Sequence, residues 1–328
     1  MLNKFQRIDL GHFPTRIEYL KNISEELNGP QIFIKRDDCT GLATGGNKTR
    51  KLEFILPDVI KNNADLVVTV GAIQSNHARQ TAAACAKLGI KCLIVLEQRL
   101  AEAPEAYMNS GNIFLNKVFG AEMILCPKER DVKEYAEEIM EERKSTGFNP
   151  YFIPVGGSNH LGELGYIECM REIIENPNKD SFTHIVLATG SGGTHACLVA
   201  GKTLYQSDAK IIGISIKDTK FKQENKVFQL AQNCCEYVGC KTPTREDVVV
   251  VVDGYVGSGY AIPTDGMRDA LSLMATKEAI LLDPVYTGKA FDGLIDLVRK
   301  NHFNSSDRVL FLHTGGSAAL PAFEWAFS

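Results

Sequence analysis

Residues 45–51 read Gly-Gly-Asn-Lys-Thr-Arg-Lys, and Lys48 in that run has the setting an amine nucleophile needs. Two glycines free the backbone just before it. Asn47 is expected to cap a helix that continues through Thr49-Arg50-Lys51-Leu52-Glu53-Phe54. The strand-like run Ile32-Phe33-Ile34-Lys35 lies upstream, which puts Lys48 at a strand–loop–helix junction. A helix N-terminus, with Lys51 and Arg50 alongside, disfavours the protonated amine. A neutral amine is what Schiff-base chemistry with a carbonyl cofactor requires. The alternative is a solvated lysine near a turn, so Lys48 gains meaning only from partners elsewhere.

The first partner is Thr189-Gly190-Ser191-Gly192-Gly193-Thr194, between a buried strand and a helix. Glycines allow close backbone approach, and Ser191, Thr194 and the free N–H groups of the helix form a cup aimed at an anion, most simply a phosphate. The Gly-x-x-x-x-Gly-Lys-Ser/Thr spacing of a nucleotide loop is absent. The final glycine of a dinucleotide fingerprint is missing too, since His195 stands there. A plain strand-to-helix turn is the competing reading. The second partner is Gly71-Ala72-Ile73-Gln74-Ser75-Asn76-His77, also a strand-to-helix turn. Its helix N-terminus suits a carboxylate, although Ser75 or Asn76 alone would be read as a cap.

These residues need a frame to hold them. The chain has 328 residues, enough for two domains or one with a smaller one inserted. Apolar residues make up 44% and charged residues 23%, an ordinary globular balance with a core large enough to need no disulfide staple. A net charge of −4 with scattered signs argues against a nucleic-acid partner. No apolar run is long enough to span a membrane, and Met1 to Arg7 has no signal-peptide character. Nine cysteines, several in apolar surroundings such as Cys85, Cys92 and Cys197, fit buried thiols in the cytoplasm. Cys234, Cys235 and Cys240 cluster without the spacing of a metal site.

Strand-like and helix-like stretches alternate. Strands are expected at 66–70, 91–96, 122–125, 185–188, 210–214, 248–252 and 309–313. Helices are expected at 78–88, 111–119, 132–145, from 195, and at 289–300. Residues 149–157 look like a return crossing between two sheets. The rhythm predicts an α/β protein with two interleaved domains, each a twisted, mostly parallel sheet flanked by helices.

Gly45 to Lys51, Gln74-Ser75-Asn76-His77 and Asp283-Pro284-Val285-Tyr286-Thr287-Gly288-Lys289 together resemble the pyridoxal-phosphate enzymes of the tryptophan synthase β type. More narrowly, they resemble the group containing D-cysteine desulfhydrase and 1-aminocyclopropane-1-carboxylate deaminase. The resemblance covers essentially the whole chain in one motif order. It implies a large domain of residues 1–50 and 158–328, a small inserted domain of 51–157, and a homodimer. It implies pyridoxal 5'-phosphate in the cleft, joined to Lys48 as a Schiff base. Asn76 would bond the ring hydroxyl, and Lys51 with Thr189, Gly190, Ser191, Gly192, Gly193 and Thr194 would hold the phosphate. Ser75, Asn76 and His77 would receive the substrate carboxylate. Tyr260 and Tyr286 would be the two active-site tyrosines, the alternative being core aromatics with satisfied hydroxyls.

Within that group, Thr287 stands where the deaminase pattern has a glutamate against the pyridine nitrogen. A neutral hydroxyl there implies an unprotonated ring and a weaker electron sink. Thr287 and His77 together look like the desulfhydrase pattern. The expected reaction is therefore α,β-elimination on a small amino acid, first of all D-cysteine, giving hydrogen sulfide, pyruvate and ammonia. Alternatives are elimination from L-cysteate, D-serine or β-chloro-D-alanine, the cyclopropane deamination, a non-catalytic cofactor carrier and a nicotinamide-dependent dehydrogenase.

Overall fold

All seven residues of Leu66–Ala72 are buried, which a strand tolerates only when helices cover both faces of its sheet. In the computed structural model, which describes residues 2–100, 102–176, 182–245 and 250–327, that arrangement occurs twice. The strands are β1 (Ile17–Tyr19), β2 (Gln31–Lys35), β3 (Leu66–Ala72), β4 (Lys91–Glu97), β5 (Glu122–Leu125), β6 (Pro150–Ile153), β7 (His184–Thr189), β8 (Lys210–Ser215), β9 (Val250–Val252) and β10 (Arg308–Leu312). The helices are α1 (Lys21–Leu27), α2 (Lys48–Lys61), α3 (Asn76–Leu88), α4 (Glu105–Asn109), α5 (Gly111–Val118), α6 (Val132–Ser145), α7 (His160–Ile174), α8 (Gly193–Tyr205), α9 (Lys220–Val238), α10 (Asp265–Glu278) and α11 (Thr287–Arg299).

Among the described residues, the larger sheet has six strands in the order β1-β2-β10-β7-β8-β9. Only its edge strand β1 is antiparallel to its neighbour. The smaller sheet has four strands in the order β5-β4-β3-β6, all parallel. Alternate residues feed opposite faces. Ile185 and Leu187 pack towards α7 and α8, while Val186 packs with Phe291 and Leu294 of α11. In the smaller sheet Val67 meets Leu52 of α2, whereas Val68 and Val70 meet Ala136 and Ile139 of α6.

The expected α/β architecture stands, with most elements longer by one to three residues. Residues 149–157 are a correction: they first form β6, paired with β3 from Leu66↔Pro150 to Thr69↔Ile153, and turn back only afterwards. Val248 and Val249 of the expected 248–252 strand lie outside the described residues, and Val250–Val252 forms β9. All nine cysteines are free. Among the described residues, no helix is long and apolar enough to cross a membrane.

The two sheets are joined through a buried charge cluster beside the start of α2. Arg50 forks onto Asp37 at 2.7 and 2.8 Å and onto Glu172 of α7 at 2.8 Å. Lys35 of β2 reaches the same Glu172 at 2.7 Å, and Tyr166 of α7 donates to Asp37 at 2.7 Å. Burial alone would raise the Asp37 carboxyl. The charge and hydrogen bonds of Arg50, with Lys35 and Tyr166, outweigh it and hold that carboxyl at about 2. A depressed carboxyl adds stability that is complete above its ordinary value of 3.8 and is lost as pH falls through about 2. Replacing Arg50 by methionine strands Asp37 in the interior and should cost about 3–5 kcal/mol in guanidinium unfolding. A loss no larger than the ~1 kcal/mol typical of a surface pair would contradict this assignment.

Candidate active site

Lys48 is the first residue of α2 and lines a cavity of about 440 Å³ at the C-terminal ends of the parallel strands. That location is where open α/β sheets gather ligands, because loops from several strands converge there. Gly45 makes the approach to Lys48 possible: at φ 82°, a Cβ there would lie 1.8 Å from the Asp38 carbonyl. Asn47 does not cap α2 as expected. The Thr49 N–H goes instead to Gln80 Oε1 of α3 at 2.9 Å, which leaves the Asn47 amide to reach Thr194 Oγ1 at 3.3 Å. Burial, and then the charge of Lys51, push the Lys48 ammonium well below its ordinary value, which favours the neutral amine. Arg50 contributes nothing to that shift, because its guanidinium points into the charge cluster.

The anion cup follows β7. Gly192, at φ 90°, is the N-cap of α8 and has no side chain to occupy the free N–H groups beyond it. Thr189, Gly190, Ser191, Gly192 and Thr194 line the cavity. Lys51 sits behind the cup, bonded to Gly156 O and Ser158 Oγ at 3.1 Å each. A Cβ at Gly193 would lie 2.9 Å from both Lys51 Nζ and Ser158 Oγ, so this glycine keeps cation and cup together. Burial lifts the Glu163 carboxyl to about 7 against the opposing charge of Lys51. Across Gly156, the Lys48 amine and Ser191 Oγ face each other: a Cβ there would meet them at 3.7 and 3.4 Å.

Ser75 takes both readings at once. It caps α3 by accepting from Ala78 N at 3.1 Å, and it lines the cavity. Asn76 has its Oδ1 filled by Asn112 at 2.8 Å and Arg79 at 3.2 Å, which turns its NH₂ towards the cavity as a donor. His77 departs from the expected role. The Thr69 hydroxyl donates to Ile153 O at 2.8 Å, so it must accept from His77 Nε2, also at 2.8 Å. The other ring nitrogen then carries a lone pair, and burial, with the charge of Lys51 nearby, keeps the ring neutral. Such a ring is a poor partner for a carboxylate. The backbone N–H of His77, in the first turn of α3, remains a donor.

Tyr260 and Tyr286 both line the cavity, and their hydroxyls bond each other. Burial raises both, Tyr286 to about 12, so both are neutral; one hydroxyl donates to the other, which keeps its own proton free to donate. Thr287 does not line the cavity, contrary to its expected place against the cofactor ring. Its hydroxyl donates to Asp283 Oδ1 at 2.7 Å and accepts from Asp283 N at 2.8 Å, which uses it up. Thr314, just past β10, lines the cavity instead. Sequence reading also missed Ser158, Arg99 and Lys226. Thr314 had a usable sign, the Gly315-Gly316 pair after a buried strand; the other three carried none.

The lining fits pyridoxal phosphate. It offers a neutral amine for the aldehyde, a helix N-terminus with Ser191 and Thr194 for the phosphate, the Asn76 amide for the ring hydroxyl and the Thr314 hydroxyl for the ring nitrogen. A family model described as "Pyridoxal-phosphate dependent enzyme" matches residues 8–315. The D-cysteine desulfhydrases of Salmonella typhi and Salmonella newport are each 41% identical over 323 residues, covering 98% of this chain and 97% of theirs. The crystal structure of an ACC deaminase homologue superposes with a TM-score of 0.89 at 39% identity, covering 99% of this chain and 97% of that one. O-ureido-L-serine synthase shares the fold at 14% identity and a TM-score of 0.66. A match of that length, over a cavity whose donors suit the cofactor, means that the chain belongs to the pyridoxal-phosphate-dependent enzymes, with pyridoxal phosphate as its cofactor.

Proposed function

We propose that the protein eliminates hydrogen sulfide from D-cysteine, leaving pyruvate and ammonia. The observation that carries this reading is a cavity where Lys48, the anion cup and the tyrosine pair converge with no carboxylate among the described lining residues. The relatives named D-cysteine desulfhydrase support it. Bound at this site, pyridoxal phosphate supplies an electron sink that acidifies the substrate α-carbon. A neutral hydroxyl, from Thr314 in place of Thr287, makes that sink a moderate one. It suits departure of a good leaving group from the β-carbon.

The protein's own groups divide the remaining work. The start of α3, with the Ser75 hydroxyl and the His77 backbone N–H, binds the substrate carboxylate. Asn76 orients the ring hydroxyl, held by Asn112 and Arg79 from behind. Lys48 Nζ, neutral and buried, takes the α-proton. Tyr286, steadied by Tyr260, stands as the hydroxyl donor at the β-substituent. The same reading makes the protein a cytoplasmic homodimer with lobes of residues 1–50 plus 158–328 and 51–157.

The deciding assay gives the purified enzyme D-cysteine, L-cysteine, L-cysteate and the cyclopropane amino acid, scoring sulfide, sulfite, ammonia and keto acid together. Sulfide and pyruvate in equal amounts from D-cysteine are expected; α-ketobutyrate from the cyclopropane would overturn the assignment. Lys48→Ala should abolish turnover while the protein stays folded by circular dichroism; an active variant would refute its role. Gly193→Ala pushes a methyl group against Lys51 and should weaken cofactor affinity by roughly tenfold, the effect of about 1.4 kcal/mol. Equilibrium dialysis with pyridoxal phosphate measures this, and unchanged affinity would remove Gly193 from the phosphate site.

A further inference from the structure

Arg99 has no part in the reading above, yet it lies in the same cavity. It follows β4, and its guanidinium carbon stands 5.1 Å from the Tyr260 ring centre. Its Nε donates to Glu97 at 2.7 Å, and that is its one hydrogen bond to protein among the described residues. A guanidinium has five donors in a planar fork, so the two terminal NH₂ groups remain for a guest. Glu97 is 41% exposed, and its charge is therefore largely screened by water. Tyr260 and Tyr286 complete the corner with neutral hydroxyls.

Lys48 and the cup define one side of the cavity, and Arg99 with the tyrosines defines another. The substrate's α-carbon must lie by Lys48, and its carboxylate by the start of α3. Its β-substituent is then left to the remaining polar corner. We propose that Arg99 is the counter-ion for the sulfur anion that leaves the β-carbon. This rests on the elimination chemistry proposed above and names the residue that receives the charge. In that step the α-proton passes to the base, the α–β double bond forms and the β-carbon–sulfur bond breaks. Its electron pair leaves on sulfur as hydrosulfide, beside the Arg99 cation. Neither oxidant nor reductant is needed. Chloride, the anion of a strong acid, departs without such help.

The charge on hydrosulfide appears only as the bond breaks, so Arg99 acts on kcat. Sulfonate carries its charge from the start, so with L-cysteate the same cation would act first on KM. Removing one donor from a closed anion site costs about 10²–10³-fold in rate, and Arg99 is partly open to solvent, so a smaller loss of roughly tenfold is expected.

The test compares wild type, Arg99→Gln and Arg99→Lys on D-cysteine, β-chloro-D-alanine and L-cysteate, scoring sulfide, chloride and sulfite. For Arg99→Gln we expect kcat on D-cysteine to fall about tenfold while β-chloro-D-alanine turnover changes less than about twofold, with partial recovery in Arg99→Lys. Retained chloride release also shows that the variant is folded and loaded. Equal losses on both substrates, or no loss on either, would overturn the assignment of Arg99. Sulfite from L-cysteate, lost through KM in Arg99→Gln, would support the counter-ion role but replace hydrosulfide as the anion it serves. A wild type that releases none of the three anions would overturn the elimination reading itself, and this inference with it.

Discussion

The buried fork of Arg50 onto Asp37 and Glu172 is the constraint from which the site's geometry follows. Arg50 lies two residues after Lys48 and one before Lys51. Fixing its side chain at 1% exposure fixes the first turn of α2 against β2 and α7. Lys48 must then point the other way, to the cavity, and Lys51 comes round one turn later beneath the cup. A short helix terminus frays easily; this one is pinned by charge-assisted bonds below and by Gln80 on the Thr49 N–H above. The desolvation cost of such a cluster is large, so its worth lies as much in specifying one geometry as in net stability.

Charge in the cavity is lopsided. Arg99, Lys217 and Lys226 line it, and Lys51 stands just behind. The acids that pair with them do not line the cavity: Asp218 holds Lys226 at 2.8 Å and Glu97 holds Arg99 at 2.7 Å. The interior therefore favours a guest with several negative groups, as a phosphate and an amino-acid carboxylate supply. A phosphate in the cup offsets the push of Lys51 on Lys48. Burial is the larger cause of the lowered Lys48 amine, and a phosphate in the cup leaves that cause in place.

Much of the fold was legible because parallel strands buried on both faces are nearly continuous apolar runs, as in β3, β7 and β10. The turns that follow them carry glycine and small polar residues for local backbone reasons, so the cup and the Ser75–His77 turn could be read too. β6 was missed because its burial is only partial at Pro150, Tyr151 and Phe152, which blurs the pattern. The Asn47 cap failed for a different reason: the residue that satisfies Thr49 is Gln80, 31 positions away. Arg99, Ser158 and Lys226 share that limit. A lone arginine or lysine in a loop or on a helix has no local mark that says which way it will face.

The tyrosine motif shows how a run of site residues divides its labour. In Asp283-Pro284-Val285-Tyr286-Thr287, the Asp283 carboxylate accepts the N–H groups of Val285, Tyr286 and Thr287 at 3.0, 3.0 and 2.8 Å. The Thr287 hydroxyl closes the ring by bonding both ends of Asp283. Those contacts fix the backbone where α11 begins, and Tyr286, as its N-cap, is thrown inward. A glutamate at 287 could not replace this hydroxyl without setting two carboxylates together in the interior. The choice of threonine therefore bears on the cavity indirectly: it keeps position 287 bound to Asp283, while Thr314 lines the cavity in its stead.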